Sequence, residues 1–321
     1  MLRVRQSLLL LALPALGACD HAASARPEPT HADGPAVTSA APAVSARAAP
    51  PPAEHKRPID RKAYAWLTTP GGHAPAPVDT LEARFPTPRG FSRVRLSAGS
   101  FGAWLRGLPL AAPGTPVVSY AGTLLHPASD PRIAAVVAID VGKADLQQCA
   151  DAVIRMNAEW QWSKGRRDMS YRAASGTPLP FSRWARGERV RANGANIRWQ
   201  PAAKPASDHR AFRHYLDAVF AWANTVSVAR QAKPVKPADL APGDFFIMPG
   251  NPGHSVLVLD LARNAQGRRV ALLGQSYMPA QNFQVLRPAA HAVWFTLRSD
   301  EPVRTPFWRP FPWATLERFA D

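Results

Sequence analysis

Cysteine is almost absent. The 321 residues hold two, Cys19 and Cys149, which excludes a disulfide framework and multi-cysteine zinc modules, because both need sulfurs in larger sets. No Gly-rich phosphate loop is present. His209 and His214 stand five apart, which points them to different sides of a helix, and no HExxH spacing suggests a zinc peptidase. Neither a metal nor a cofactor is expected. Acidic side chains are few, 23 against 39 Lys and Arg, for a net charge of +16. Residues 1–60 carry six basic and five acidic groups, which leaves 33 minus 18, or +15, for the remainder. Proline, by contrast, is abundant: 34 residues, about twice the usual ~5% share. With 46% apolar and 19% charged residues, the chain still has enough apolar surface for a substantial core.

The proline excess is partly explained at the N-terminus. Arg3 and Arg5 precede the apolar run 8–13, and Leu16-Gly17-Ala18-Cys19 follows it. The run is too short to cross ~30 Å of hydrocarbon and matches the charged start, apolar middle and small-residue end of a signal peptide. Leu-Gly-Ala-Cys resembles the lipobox of bacterial lipoproteins, which implies acylation of Cys19 and a membrane anchor in the cell envelope, on the periplasmic side. Residues 20–59 are mostly Ala, Pro, Ser and Thr, a composition that buries too little to fold and reads as a spacer. The expected organisation is a signal peptide at 1–19, a linker at 20–59 and a single α+β domain at 60–321.

Within that domain, alternation predicts strands at 91–96 and 133–141, and a short helix at 103–108. Asp145 with Gln148 three residues on reads as the N-cap of a helix whose face carries Leu146, Cys149, Ala150, Val153, Asn157 and Trp160. A second helix starts near Asp208 and runs through Phe212, Leu216, Val219 and Phe220 to Val226. Strands follow at 244–248, 255–261 and 270–274. The last two form a hairpin about the turn Asn264-Ala265-Gln266-Gly267. The Pro-interrupted aromatics Trp294, Phe295, Phe307, Trp308, Phe311 and Trp313 fit a wrap over the core, with an aromatic groove for sugar or peptide as the alternative.

Three side chains carry a candidate chemistry. Cys149 falls in the first turn of its helix, where free backbone N–H groups and the helix dipole favour a thiolate. Equally, a free cysteine on the same face as Leu146 and Val153 suits a core position. His254 opens a strand. With opposed hairpin residues summing to 531, it faces Tyr277 and has Gln275 as its diagonal neighbour. An amide there can hold the imidazole in the tautomer that takes a proton from a thiol. Asp260, six residues along the same strand, is too distant for that role. Ser100, in Ala98-Gly99-Ser100-Phe101-Gly102, reads as a helix N-cap rather than a nucleophile.

The order of helix-borne Cys149, the Gly243-Asp244 strand, His254 opening the next strand and a polar residue on the one after resembles the papain-like amidases of the NlpC/P60 and CHAP type. The match is one of pattern over residues 145–277, with Gln148-Cys149-Ala150-Asp151 in place of their Asp-Cys-Ser-Gly. The resemblance implies a papain-like fold, with a helix carrying the cysteine packed on a mostly antiparallel sheet, and cleavage of peptide or amide bonds in peptidoglycan. Residues 101–110, 145–155, 243–260 and Gln275-Ser276-Tyr277-Met278-Pro279-Ala280-Gln281 are more closely similar to domain-of-unknown-function family 4846, which implies no activity. The expectation is an envelope lipoprotein with Cys149 as nucleophile, His254 as base and Gln275 as its orienting group. The alternative is a non-catalytic wall-binding or scaffolding lipoprotein. Its basic charge is read as affinity for the membrane surface and anionic wall polymers such as peptidoglycan, not nucleic acid.

Overall fold

Backbone pairing along the chain builds one large antiparallel sheet with helices against it. The structure is a computed structural model that describes residues 58–69, 74–194 and 196–320. The expected signal peptide, Cys19 and all but the last two residues of the expected linker lie outside them. Strand order across the sheet is Lys233–Pro234, Leu316–Arg318, Phe245–Met248, His254–Asn264, Arg269–Gln275, Gln284–Leu286 and Ile133–Val136. Phe91–Arg93 pairs with the far end of the His254–Asn264 strand, and Phe295–Leu297 with the far end of Arg269–Gln275.

Alternating side chains on the central strands feed two cores, as a strand's period of two requires. Phe245, Ile247, Leu257 and Leu259 join the core that also holds Ala150, Val153 and Ile154 of the Cys149–Ser163 helix and Phe212, Leu216 and Val219 of the His209–Trp222 helix. Phe246, Val256, Val258 and Leu273 face the other core, closed by Phe295, Phe311 and Leu316, with Phe307, Trp308 and Trp313 packed on it. The C-terminal aromatics are therefore a packed wrap. The chain is α+β, with the cysteine-bearing helix on an antiparallel sheet.

The strands expected at 91–96 and 133–141 end at Arg93 and Val136, the short helix covers Phe101–Arg106, and three further differences have a local reason. The helix after Asp145 begins at Cys149, with Gln148 as N-cap and Asp151 Oδ2 accepting from the Gln148 N–H at 3.2 Å. Asp145 instead accepts from Gln148 Nε2 at 3.0 Å and from the Ala280 N–H at 2.7 Å. The second long helix stops at Trp222, because Asn224 starts a new one over Thr225–Gln231 by accepting from the Ser227 N–H at 2.9 Å. In the hairpin, Leu257 pairs with Gly274 and Val258 with Leu273, sums of 531, but Asp260 pairs with Leu272 and Arg263 with Arg269, sums of 532. A bulge between Val258 and Asp260 inserts the extra residue. It reverses the alternation, so Leu259 and Ala262 reach the same core. Asp260 is thereby available to Arg93 Nε at 2.6 Å and Arg106 Nε at 2.7 Å, a buried structural pairing.

Candidate active site

Cys149 is the first residue of its helix and 5% exposed. Its thiol donates to the Gly253 carbonyl at 3.8 Å, one residue before His254. Gly253 is required by a different contact: a Cβ there would collide with Thr225 Oγ1 and the Met248 carbonyl. Backbone N–H groups of Ser255, Ala150 and Cys149 act on the sulfur in the direction that favours a thiolate. They are outweighed. Burial, and after it the nearby Asp151, push the thiol up to about 11. Asp151 is itself pushed up to about 8 by burial, with the Gln148 N–H opposing the shift. The activated thiolate expected at a helix start is thus reversed by desolvation, which disfavours the charged form more than helix N–H groups favour it.

His254 is 0% exposed. Its Nε2 lies 2.8 Å from Gln275 Oε1. An amide oxygen only accepts, so Nε2 carries the proton and Nδ1 keeps its lone pair. Nδ1 is buried and has no hydrogen-bond partner among the described residues. Burial pushes the imidazole down to about 4, and the smaller effect of Gln275 works in the opposite direction. The ring sits among Tyr277 at 4.9 Å, Trp308 at 4.9 Å and Phe311 at 6.1 Å, measured between centroids. The thiol does not hydrogen-bond to the imidazole. The phenol of Tyr277, which packs on the imidazole, is raised by burial and, less, by the Cys149 charge.

A loop from the C-terminal wrap packs on His254 and Tyr277. Val303 and Phe311 exchange backbone hydrogen bonds of 2.8 Å in both directions and close residues 304–310 into a short Ω-like excursion. Trp308 lies on His254, and the Tyr277 hydroxyl donates to the Phe307 carbonyl at 3.1 Å. Eleven buried side-chain atoms among the described residues have no hydrogen-bond partner. Seven of them belong to Asp151, His254, Ser255, Gln275, Gln284, Thr305 and Trp308, on the helix start, the two site strands, their neighbour and this loop. Unpaired buried polar atoms are costly and rare. Their concentration here separates the region from an ordinary core.

The remaining candidates take structural roles. Ser100 Oγ accepts from the Ala103 N–H at 3.3 Å as a helix cap. Asp244 is buried and accepts from Arg318 Nη2 at 2.9 Å. His209 is held between Thr69 Oγ1 at 2.6 Å and Glu159 Oε2 at 2.9 Å. Sequence reasoning missed the 304–310 cover and the effect of Asp151 on the thiol. Trp308 was visible only as one more aromatic, and the acidic residue two after the cysteine was the available signal for the second.

An α+β protein with a hydrogen-bonded imidazole and amide on two paired strands, and a helix-start cysteine whose thiol meets the carbonyl before that imidazole, is the class this geometry defines. A family profile described as domain of unknown function 4846 matches residues 81–318, and the chain belongs to that family. No curated protein and no solved structure matches the chain.

Proposed function

We propose that the protein is a membrane-anchored envelope lipoprotein whose domain is a papain-like cysteine hydrolase of peptide or amide bonds. The observation that carries the hydrolase is the His254–Gln275 hydrogen bond, which leaves Nδ1 free as a base on the strand whose preceding carbonyl holds the Cys149 thiol. With neither group charged in its buried state, the thiol proton passes to Nδ1 as sulfur attacks the carbonyl carbon, rather than from a preformed ion pair. The carbonyl oxygen takes the negative charge, and we assign its stabilisation to the backbone N–H groups of the helix start and of Ser255, which act on the Cys149 sulfur in the free protein. The amine leaves with the proton from Nδ1, and the thioester remains. Water then gives its proton to Nδ1 and its oxygen to the acyl carbon, releasing a carboxylic acid and restoring the thiol. Peptidoglycan stems are the substrate class that fits an envelope location.

Alkylation by iodoacetamide tests this reading. Labelling of native protein at Cys149 that slows when His254 is replaced supports the hydrolase. Labelling only after denaturation overturns it and favours the second reading, a non-catalytic wall-binding or scaffolding lipoprotein. The specific support for that second reading is the burial of both groups. The anchor rests on the Arg3, Arg5, apolar run and lipobox series, since several acyl chains on one cysteine give stable membrane attachment. Among the described residues no helix is long and apolar enough to cross a membrane. Cys19→Ser protein is expected in the soluble fraction after a high-salt wash, and continued sedimentation with membranes would show another anchor.

A further inference from the structure

Strands Glu188–Asn193 and Asn196–Pro201 pair with each other in a two-stranded sheet apart from the large one. Their register sets Val190 against Trp199 and Ala192 against Ile197 on one face, and Arg191 against Arg198 and Arg189 against Gln200 on the other. The first face packs inward: Ile197 is buried in the core, and Val190 and Trp199 lie against it. Glu188 shares that face, where Arg183 and Arg186 hold its carboxylate. The second face carries Arg189, Arg191, Asn193, Asn196, Arg198 and Gln200. Every one of these side chains donates hydrogen bonds, and none is acidic or apolar.

Only Arg189 is engaged by the rest of the protein. Arg191, Asn193, Asn196 and Arg198 are exposed, and they and Gln200 make no side-chain hydrogen bond or ion pair among the described residues. Arg191 and Arg198 stand directly opposite each other, a like-charge pairing that works against the hairpin. Arg189 is fixed by its surroundings. Its guanidinium carbon lies 3.8 Å from the Trp184 ring centroid, and Nη1 donates to the Trp184 carbonyl at 3.0 Å and to the Glu188 carbonyl at 2.7 Å. Both Nη1 hydrogens are thereby spent. Nε and Nη2 make no hydrogen bond among the described residues and are not sealed from solvent. That free edge is the pair of donors that grips two oxygens of one oxyanion. Arg189 borders an open cleft of about 630 Å³, which Arg210 and His214 of the His209–Trp222 helix also line. The acids of the cleft have other partners: Asp208 accepts from the Ala211 N–H at 2.7 Å, and Asp217 from Arg213 Nη1.

We propose that this face binds a linear polyol-phosphate chain, with one phosphate between Arg191 and Arg198, the next on the free edge of Arg189, and a third beside Arg210 in the cleft. Residues two apart on a strand are separated by about 6.6 Å, so these positions take successive charges of an extended chain rather than one group. A phosphodiester offers two charged oxygens to a guanidinium and keeps ester oxygens for Asn193, Asn196 and Gln200, whereas a carboxylate has no acceptor to spare for the amides. A flat membrane surface meets the exposed pair but not the half-buried Arg189 at the cleft. Bases of a nucleic acid need rings to stack on, and here the Trp199 ring is on the inward face and the Trp184 ring is covered by Arg189. The binding requires no hydrolysis and stands independently of the reading at Cys149.

The test is fluorescence anisotropy of an end-labelled glycerol phosphate oligomer with the full chain carrying Cys19→Ser. Affinity is expected to fall with salt, with a slope of log K against log salt of about −2, from three phosphates at ~0.7 each. Replacing the exposed pair together, Arg191→Gln with Arg198→Gln, should weaken binding about tenfold or more and reduce the slope by about 0.7, with no loss of melting temperature, since the two repel. Arg189→Gln should also reduce the slope, but it disturbs Trp184, so the exposed pair decides. No binding of the oligomer, or an affinity and slope unchanged in the double variant, would overturn the proposal. So would oligodeoxythymidylate or polyglutamate of equal charge binding as tightly as the oligomer, or capture by phosphatidylglycerol vesicles in its place.

Discussion

Cys149→Ala protein is expected to lose all amide hydrolysis, and His254→Ala protein to retain only about one part in 10² to 10⁴ of the rate at pH 7, the usual cost of removing a positioned base. The attacking sulfur is lost altogether, whereas water can replace a base poorly but measurably. The pH profile separates a catalytic imidazole from a structural one. The working form is neutral, and burial holds the imidazole down at about 4. The rate should therefore persist below the unperturbed pKa of ~6.5, fall only as the pH drops through about 4, and lose that limb in His254→Ala. Gln275→Glu places a carboxylate where an amide now accepts from Nε2. It should move the limb upward, because a negative neighbour favours imidazolium. A profile unchanged by both substitutions would remove His254 and Gln275 from the mechanism.

Opening the loop over His254 should have the next largest effect. Trp308→Ala removes the ring 4.9 Å from His254 and is expected to raise the rate of Cys149 alkylation in the native protein by about tenfold or more, since each 1.4 kcal/mol in the opening equilibrium is a factor of ten. Phe307 already stores some of the opposing energy. Its φ of +73 is unfavourable for a side chain of that size by about 1–2 kcal/mol. Its ring is held by His126 at 4.9 Å and by the Arg132 guanidinium at 4.2 Å. Tyr277→Phe, which loses the hydrogen bond to the Phe307 carbonyl, should act in the same direction by a smaller factor, about fivefold for ~1 kcal/mol. The acid limb provides an internal check. Its position near 4 follows from burial, so an opened loop should shift it toward ~6.5. Faster labelling with an unmoved limb would mean that the mutation loosened the helix rather than uncovered the imidazole.

The His254–Gln275 pair was readable in advance because it depends on contacts close in register. The turn at Asn264 to Gly267 and the alternation on either side place Gln275 diagonally across from His254, and the observed separation is 2.8 Å. The same extrapolation was one residue out toward the turn, where the bulge after Val258 intervenes. A bulge leaves both strands hydrophobic and changes only which face each residue occupies, so periodicity carries little trace of it. The start of the Cys149–Ser163 helix was placed too early for a comparable reason. Asp145 and Asp151 are both acids near a helix start, and only the path of the 280 segment shows that Asp145 is committed to the Ala280 N–H.

What the amino-acid order determined by itself is therefore local: the Asp208 and Ser100 helix caps, the two faces of the central strands, the hairpin and the His254–Gln275 pair. Such features follow from rotations and hydrogen bonds within a few residues or across one turn. Tertiary structure alone decided that the Cys149 thiol meets the Gly253 carbonyl 104 residues later, that residues 304–310 close over the imidazole, and that the thiol is raised while the imidazole is lowered. Those outcomes depend on how many separate segments exclude water from one point, and desolvation of that kind belongs to the packed chain rather than to any stretch of it.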